Sequence, residues 1–241
     1  MIVMIDHVVV LVDDVGRAAS AYRALGFTVL IGGEHADGST HNALVSFADG
    51  SYLELLAFQR EAAEHRWWHH RTAGEGLIDF ALLPSDTDAD VAAARARGLA
   101  LNGPFDGGRL RPDGARLQWK TALATTEDLP FLCGDVTPRV LRVAGGAATT
   151  HQNGVRGIRE VVVAVADVAA SSERYTQLLG TAAEADGSFA LGSGRIRLFG
   201  PAHNAAAERL ARRGEGVLAL AFDAPDGAIF PAAQSHGAEL R

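Results

Sequence analysis

The chain is expected to fold in the α+β class as repeated βαβββ modules. Two internal self-similarities and one recurring order of elements carry that expectation. A displacement of 153 residues superposes Ile5 on Ile158, Val8-Val9-Val10 on Val161-Val162-Val163, Val12 on Val165, Asp14 on Asp167, Val15 on Val168, Tyr22 on Tyr175 and Leu25 on Leu178, without a gap. A fainter displacement of 72 residues brings Leu11 onto Leu83, Asp14 onto Asp86 and Gly26 onto Gly98. Each copy runs from an apolar strand through an aspartate into an Ala-rich helix, and a glycine often ends that helix. Self-similarity at a fixed displacement marks repeated supersecondary units.

The first module spans residues 1–58. Residues 5–12 are rich in valine and read as a buried strand. Asp13 or Asp14 caps the next helix, because a carboxylate accepts from its first unpaired amides. Ala18, Ala19, Tyr22 and Leu25 share one helical face, and Gly26 stops the helix at a left-handed position. Residues 27–31, 42–47 and 52–58 read as three further strands, the last two joined by a turn at Ala48-Asp49-Gly50-Ser51. Residues 59–75 are expected to form a connecting helix with packed tryptophans and solvated histidines. His69 and His70, being adjacent, point to different sides, which is poor ligand geometry; Trp67 or Trp68 would at most form a pocket rim.

The second module spans 76–135. Residues 78–83 form its first strand and 86–97 its helix, closed by Gly98. A strand or loop covers 102–110, Pro112-Asp113-Gly114 is a turn, residues 116–123 alternate as a half-buried strand, and 129–133 are the short fourth strand. Together residues 1–135 form one pocket-bearing domain. Residues 136–156 are a linker. Residues 157–241 hold a third module and the opening strand of a truncated fourth, at 216–223.

The composition excludes several classes of function. With 48% hydrophobic residues the chain can bury a core. A formal charge of -7 argues against nucleic acid as partner, which needs a clustered basic surface. The lone cysteine, Cys133, excludes an intrachain disulfide and a Cys-rich metal site, and its apolar neighbours make it a buried, inert thiol. No apolar run reaches the length of a membrane span, and the N-terminal stretch lacks the features of a signal peptide. A cytoplasmic location is the expectation. No phosphate-binding glycine loop, Ser-His-Asp arrangement or cysteine nucleophile is legible.

Two polar residues stand out in apolar strands: His7 in the first and Glu54 in the fourth. They are read as parts of one site. With Ile5-Asp6-His7-Val8-Val9-Val10, Leu25-Gly26-Phe27, Gly33-Glu34-His35, Asn42-Ala43-Leu44, Tyr52-Leu53-Glu54-Leu55, Pro112-Asp113-Gly114, Gln118-Trp119, Leu129-Pro130-Phe131 and His151-Gln152-Asn153-Gly154, the chain resembles glyoxalase-like domains of the vicinal oxygen chelate superfamily. That superfamily also includes extradiol dioxygenases and bleomycin-resistance proteins. The likeness covers residues 1–200. It implies paired modules whose mixed sheets curve into a cup around a divalent metal. Carried over by position, the ligands are His7, Glu54 and, at the place of His7 in the second module, Asp79. The fourth-strand place there falls near Phe131 or Leu132, which cannot bind a metal.

Imidazole and carboxylate ligands suit Fe(II), Mn(II), Ni(II) or Zn(II). The resemblance also raises His35, Asn42, His151 and Asn153 as pocket-facing residues, and beside a metal His35 or His151 would be the base that moves a proton. Trp119 and Arg109 are candidates for the substrate wall. In the third module the matching residues are Glu160 and Arg197, which would form an ion pair. Two classes of function stay open: a metal-dependent lyase, isomerase or dioxygenase acting on a small oxygen-bearing molecule, and a metal-free binding or resistance protein on the same fold. Glyoxalase I activity is not expected, since only one module carries the His/Glu pair. An uncovered sheet edge in the truncated fourth module leads to the expectation of a homodimer.

Overall fold

The computed structural model describes residues 1–111, 113–225 and 230–241; Pro112 of the expected turn lies outside them. The first module comprises β1 (Ile2–Leu11), α1 (Val15–Ala24), β2 (Leu30–His35), β3 (Thr40–Ser46) and β4 (Tyr52–Phe58). The second comprises β5 (Gly76–Pro84), α2 (Thr87–Ala96), β6 (Leu101–Leu110), β7 (Arg116–Ala124) and β8 (Phe131–Asp135). The connecting segment after β8 holds the short α3 (Arg139–Arg142). The third module contains β9 (Gly157–Ala164), α4 (Val168–Leu179), β10 (Ser188–Leu191) and β11 (Gly194–Phe199), followed by α5 (Asn204–Arg213) and β12 (Gly216–Asp223).

The repeated aspartates act as expected. Asp14 accepts from the Arg17 amide, Asp86 from Ala89, and Asp167 from Ala169 and Ala170. These bonds satisfy amides that the first turn of a helix leaves unpaired. Gly180 ends α4 in the left-handed conformation, with φ at 74°.

Each module opens with a strand that pairs in parallel with its last strand: β1 with β4, β5 with β8, and β9 with β11. The first two modules join through β1 and β5, which run antiparallel. They close through β2 and β6 into an eight-stranded barrel of order β1-β4-β3-β2-β6-β7-β8-β5. Alternation along β1 divides its apolar side chains. Val8 and Val10 join the outer core with Ala18, Ala19 and Tyr22 of α1, while Val9 and Leu11 join a separate cluster with Leu56, Trp67, Phe131 and Cys133.

The third module has one strand fewer and forms a four-stranded sheet of order β10-β11-β9-β12. Its valines share the outer core with Val8 and Val10, so one apolar cluster runs through all three modules. Helix α4 is tied to the second module at Asp128, which accepts from Arg174 Nε at 2.9 Å while its carbonyl accepts from the Tyr175 hydroxyl at 2.8 Å.

The edge of β12 that led to the expectation of a dimer is covered by the same chain. The Leu220 amide donates to the Glu239 carbonyl, Phe222 to Arg241, and Arg241 back to Leu220. Two expectations about the elements change. Strand β2 begins three residues later than the apolar run 27–31, because Phe27 and Val29 are spent in the outer core. The connecting helix is only a 3₁₀ turn over Trp68–Ala73, and its histidines are not all solvated. His70 is 6% exposed. Among the described residues, no helix is long and apolar enough to cross a membrane.

Burial lowers the His70 pKa from 6.5 to about 3, with the charges of His69 and of Arg209, Arg213 and Arg66 adding to the effect. The unfolded chain therefore takes up a proton below about pH 6.5 that the folded chain refuses until about pH 3. His70 thus contributes a loss of stability as the pH falls through that window. Urea unfolding from pH 7 to pH 4 is expected to show a smaller decline for His70→Gln than for the parent; equal slopes would contradict the assignment.

Candidate functional site

The barrel encloses a cavity of about 320 Å³ whose lining includes His7, His35, Asn42, Glu54, Arg109 and Trp119. Its floor is set by the register of the first module. Glu54 stands opposite Val9 of β1 and Leu44 of β3. The same register in the second module puts Phe131 opposite Ala81, so the place of Glu54 is taken there by an aromatic ring. In the third module it puts Arg197 opposite Val162, and Arg197 Nε lies 3.3 Å from Glu160 Oε2, the expected ion pair.

A β-bulge shapes the site further. Ile5 faces Leu82 and His7 faces Ala81, so Asp6 is one residue more than the partner strand supplies. Such a bulge re-aims side chains, and Asp6 and His7 meet although they are neighbours in a strand. Asp6 Oδ2 accepts from His7 Nδ1 at 2.7 Å. The same carboxylate is gripped by Arg142, with Nη1 at 2.7 Å from Oδ2, and by Arg139, with Nη1 at 2.6 Å from Oδ1. Burial alone would raise the Asp6 pKa, but Arg142 above all, then His7 and Arg139, hold it far below the usual carboxylate range.

His7 is fixed on three sides. Its ring stacks on Tyr52 at 4.5 Å and meets the edge of Phe131 at 5.4 Å. Its Nε2 lies 3.4 Å from Glu54 Oε2. The other carboxylate oxygen, Oε1, accepts from Asn42 Nδ2 at 2.5 Å and lies 3.4 Å from His35 Nε2. His35 is anchored behind by Nδ1, 2.7 Å from Thr40 Oγ1. Burial opposes ionisation of Glu54, yet the hydrogen bond and charge of His35, the charge of His7 and the Asn42 amide bring its pKa down to about 2. Glu54 is an anion at neutral pH.

These contacts imply a positive charge between His7 and Glu54. Ionised Asp6 takes the Nδ1 proton of His7, so an unprotonated Nε2 would aim a lone pair at a carboxylate. A second proton on the ring, or a bound cation, removes that conflict. At 3.4 Å neither imidazole is locked to Glu54, since good N–H···O bonds run about 2.7–3.2 Å.

Of the expected site residues, the structure gathers His7, Glu54, His35, Asn42, Trp119 and Arg109 around one cavity. It sets three others apart. Asp79 lines a separate cleft behind Trp67. One of its oxygens accepts from Arg66 and from the Trp67 indole at 2.8 Å, and the other from the Phe80 amide. It is thus sealed from the cavity and already neutralised. His151 lies outside the barrel wall, where Nδ1 accepts from the Thr28 amide at 2.9 Å and Nε2 lies 3.0 Å from the Ser46 carbonyl. Both of its nitrogens are spent on holding the linker, and no base remains. Asn153 serves the same linker, donating to the Leu25 carbonyl and accepting from the Val155 amide.

Among the described residues, no group of three or more His, Cys, Asp or Glu side chains is arranged to hold a metal ion. The implied set of His7, Glu54 and Asp79 does not fit, because its third member stands behind Trp67.

The sequence reading missed Asp6 and Arg142. A carboxylate beside His7 in an apolar strand was a visible signal that a buried cation must exist. Nothing local to Arg142 marks it as that cation, because the two are 136 residues apart. Cys133 lines the cavity, and burial pushes its thiol up to about 12, as expected of an inert residue.

A family model described as a glyoxalase-like domain matches residues 5–179. No curated protein sequence matches the chain. Among solved structures, a hypothetical protein from Staphylococcus aureus is similar over 98% of this chain and 97% of that one, with a TM-score of 0.74 and 15% identity. A mutant of 4-hydroxymandelate synthase from Streptomyces coelicolor is similar over 92% and 71%, with a TM-score of 0.61 and 15% identity. A fusion of a xylose isomerase-like TIM barrel with 4-hydroxyphenylpyruvate dioxygenase is similar over 94% and 37%, with a TM-score of 0.55 and 18% identity. At these identities the likeness is one of fold.

Removing one member of a buried, hydrogen-bonded ion pair typically costs about 3–5 kcal/mol. Arg142→Met is expected to destabilise the protein by about that amount in urea, because it removes the buried cation from Asp6 and leaves it only the more exposed Arg139 and His7. The double variant Asp6→Leu with Arg142→Met should recover part of the loss. A single variant within about 1 kcal/mol of the parent would show that the pair contributes little.

Proposed function

Because the chain belongs to the glyoxalase-like domain family and has the vicinal oxygen chelate fold, we propose that its barrel cavity binds a small oxygen-bearing molecule and moves a proton on it, as isomerases and lyases do. The observation that carries this reading is the buried Glu54 carboxylate with an imidazole Nε2 3.4 Å from each of its oxygens. Two proton carriers bracket one fixed negative charge at the floor of the cavity.

The roles follow from exposure and charge. The His35 side chain is 20% exposed and that of His7 4%, so His35 is the ring a ligand reaches. It removes a proton from a carbon beside the ligand's carbonyl, a task that contributes about 10²–10⁴-fold when the base is well placed. The negative charge that develops on the carbonyl oxygen is met by the proton on His7 Nε2. Glu54 stabilises the imidazolium formed on His35. Return of the proton to carbon gives an isomer, and departure of a neighbouring group gives a lyase product. Trp119, edge-on to His35 at 6.0 Å, forms the wall beside the reacting atoms.

A second reading rests on how the imidazoles are anchored. Each has its Nδ1 tied back, to Asp6 or to Thr40, and its Nε2 toward Glu54; metal-ligating histidines are held in this manner. His7, Glu54 and His35 are not arranged as a ligand set as they stand, so on this reading they would have to shift, with His35 in the place expected of Asp79, to hold Fe, Mn, Ni or Zn. Such an ion would supply Lewis-acid chemistry to a ligand oxygen.

The test is deuterium exchange from D2O into small aldehydes, ketones and 2-oxo acids, followed by proton NMR on protein of known metal content. Exchange by the parent, slowed at least about 100-fold in His35→Gln, is the expected result. About one equivalent of metal, lost in His7→Ala, would select the second reading. Saturable binding with no exchange on any compound, with or without added metal, would leave a binding protein and overturn the assignment of chemistry.

A further inference from the structure

We infer that the ligand of the barrel cavity is an organic anion whose carboxylate is held by Arg109. The inference rests on the reading of that cavity as the ligand site and adds the class of ligand. Three arginines line the cavity: Arg66, Arg109 and Arg142. Two of them have carboxylate partners inside the protein. Arg66 pairs with Asp79 and lies over the rings of Trp67 and Phe131. Arg142 pairs with Asp6 and Asp135.

Arg109 differs. It is 4% exposed, and its one hydrogen bond among the described residues goes from Nη1 to the Gly32 carbonyl. No carboxylate of those residues stands within ion-pair distance of it. Glu54, in the same cavity, is taken by Asn42, His35 and His7. A guanidinium carries five N–H donors and does not lose its charge, and burying an unpaired charge is strongly unfavourable. Such a group in the wall of a cavity is matched by an anion that enters it. The planar fork fits a carboxylate through two parallel bonds.

The local backbone maintains this arrangement. A side chain at residue 32 would overlap the Asn42 amide oxygen and press within 2.8 Å of Arg109 Nη1. Gly32 therefore leaves room for both groups. Arg109 stands directly opposite His35 across the β2–β6 pair, and residues so paired have Cβ atoms about 4.5–5.5 Å apart. A carboxylate on Arg109 thus brings the neighbouring carbon of the ligand to His35. The substrate class that follows is a carboxylic acid with its reacting C–H or carbonyl close to the carboxylate.

The inference is tested with two probes of equal shape and different charge, benzoate and benzamide, titrated against the parent protein by calorimetry. Benzoate is expected to bind at least about tenfold more tightly than benzamide, a factor that one charge-assisted pair supplies. Arg109→Gln should remove the difference, and Arg109→Lys should keep part of it, with thermal melting showing that each variant is folded. Equal affinities in the parent, or a difference that survives in folded Arg109→Gln, would overturn the inference while the cavity reading stands. If neither compound binds the parent, the cavity reading fails and the inference with it.

Discussion

The pairing of Asp6 with Arg142 is the interaction on which the site depends. A fully buried carboxylate is tolerable only with a cation brought to it, and the cation comes from the segment that follows the barrel. That need folds residues 139–142 against β1, orders the linker and leaves one acceptor position of Asp6 for His7. The β-bulge in β1 serves the same end, turning Asp6 toward its neighbour. Orientation of His7 and docking of the linker follow from one charge.

The three modules show how one register can carry three kinds of chemistry. At the matched positions the first module has His7 and Glu54, the second Asp79 and Phe131, the third Glu160 and Arg197. The first pair faces a cavity. In the second, the aromatic ring of Phe131 leaves no second carboxylate, and Asp79 is consumed by Arg66 and Trp67. The third pair neutralises itself, 3.3 Å apart, on a sheet without a barrel. Repetition supplies the scaffold, and which residue stands at two positions decides whether a module carries a site, seals one or only supports the others.

This explains why the fold was more legible than the site. Strand periodicity, the capping aspartates and the helix-ending glycines are local, and they recur with the displacements of 153 and 72 residues. His7 and Glu54 were legible because a polar residue in an apolar strand is conspicuous. Asp79 was equally conspicuous and stands elsewhere, because its partners Arg66 and Trp67 come from a connecting segment with no periodic pattern. His151 and Asn153 were drawn in by resemblance, but their side chains are committed to the backbone of the linker and of the first module. Arg142 was invisible for the same reason in reverse: its role is set by a carboxylate on a distant strand. Partners across long separations, not residue types, decide the membership of the site.

Electrostatics then link the cluster to the wall. Glu54 is a fixed anion, held so by its two imidazole neighbours and an amide. Arg109 adds a further cation that no carboxylate of the described chain balances. Of the three arginines in the cavity wall, Arg109 is thus the one whose charge is not met by a carboxylate at ion-pair distance among the described residues, and in a low-dielectric wall such a charge is felt most strongly. An incoming carboxylate relieves the imbalance at Arg109 without competing for Glu54, since the two groups sit on different strands with His35 and Asn42 between them. Under the proposed reading, binding and reaction are divided: the charge on the ligand is met at the wall, and the proton is exchanged at the floor.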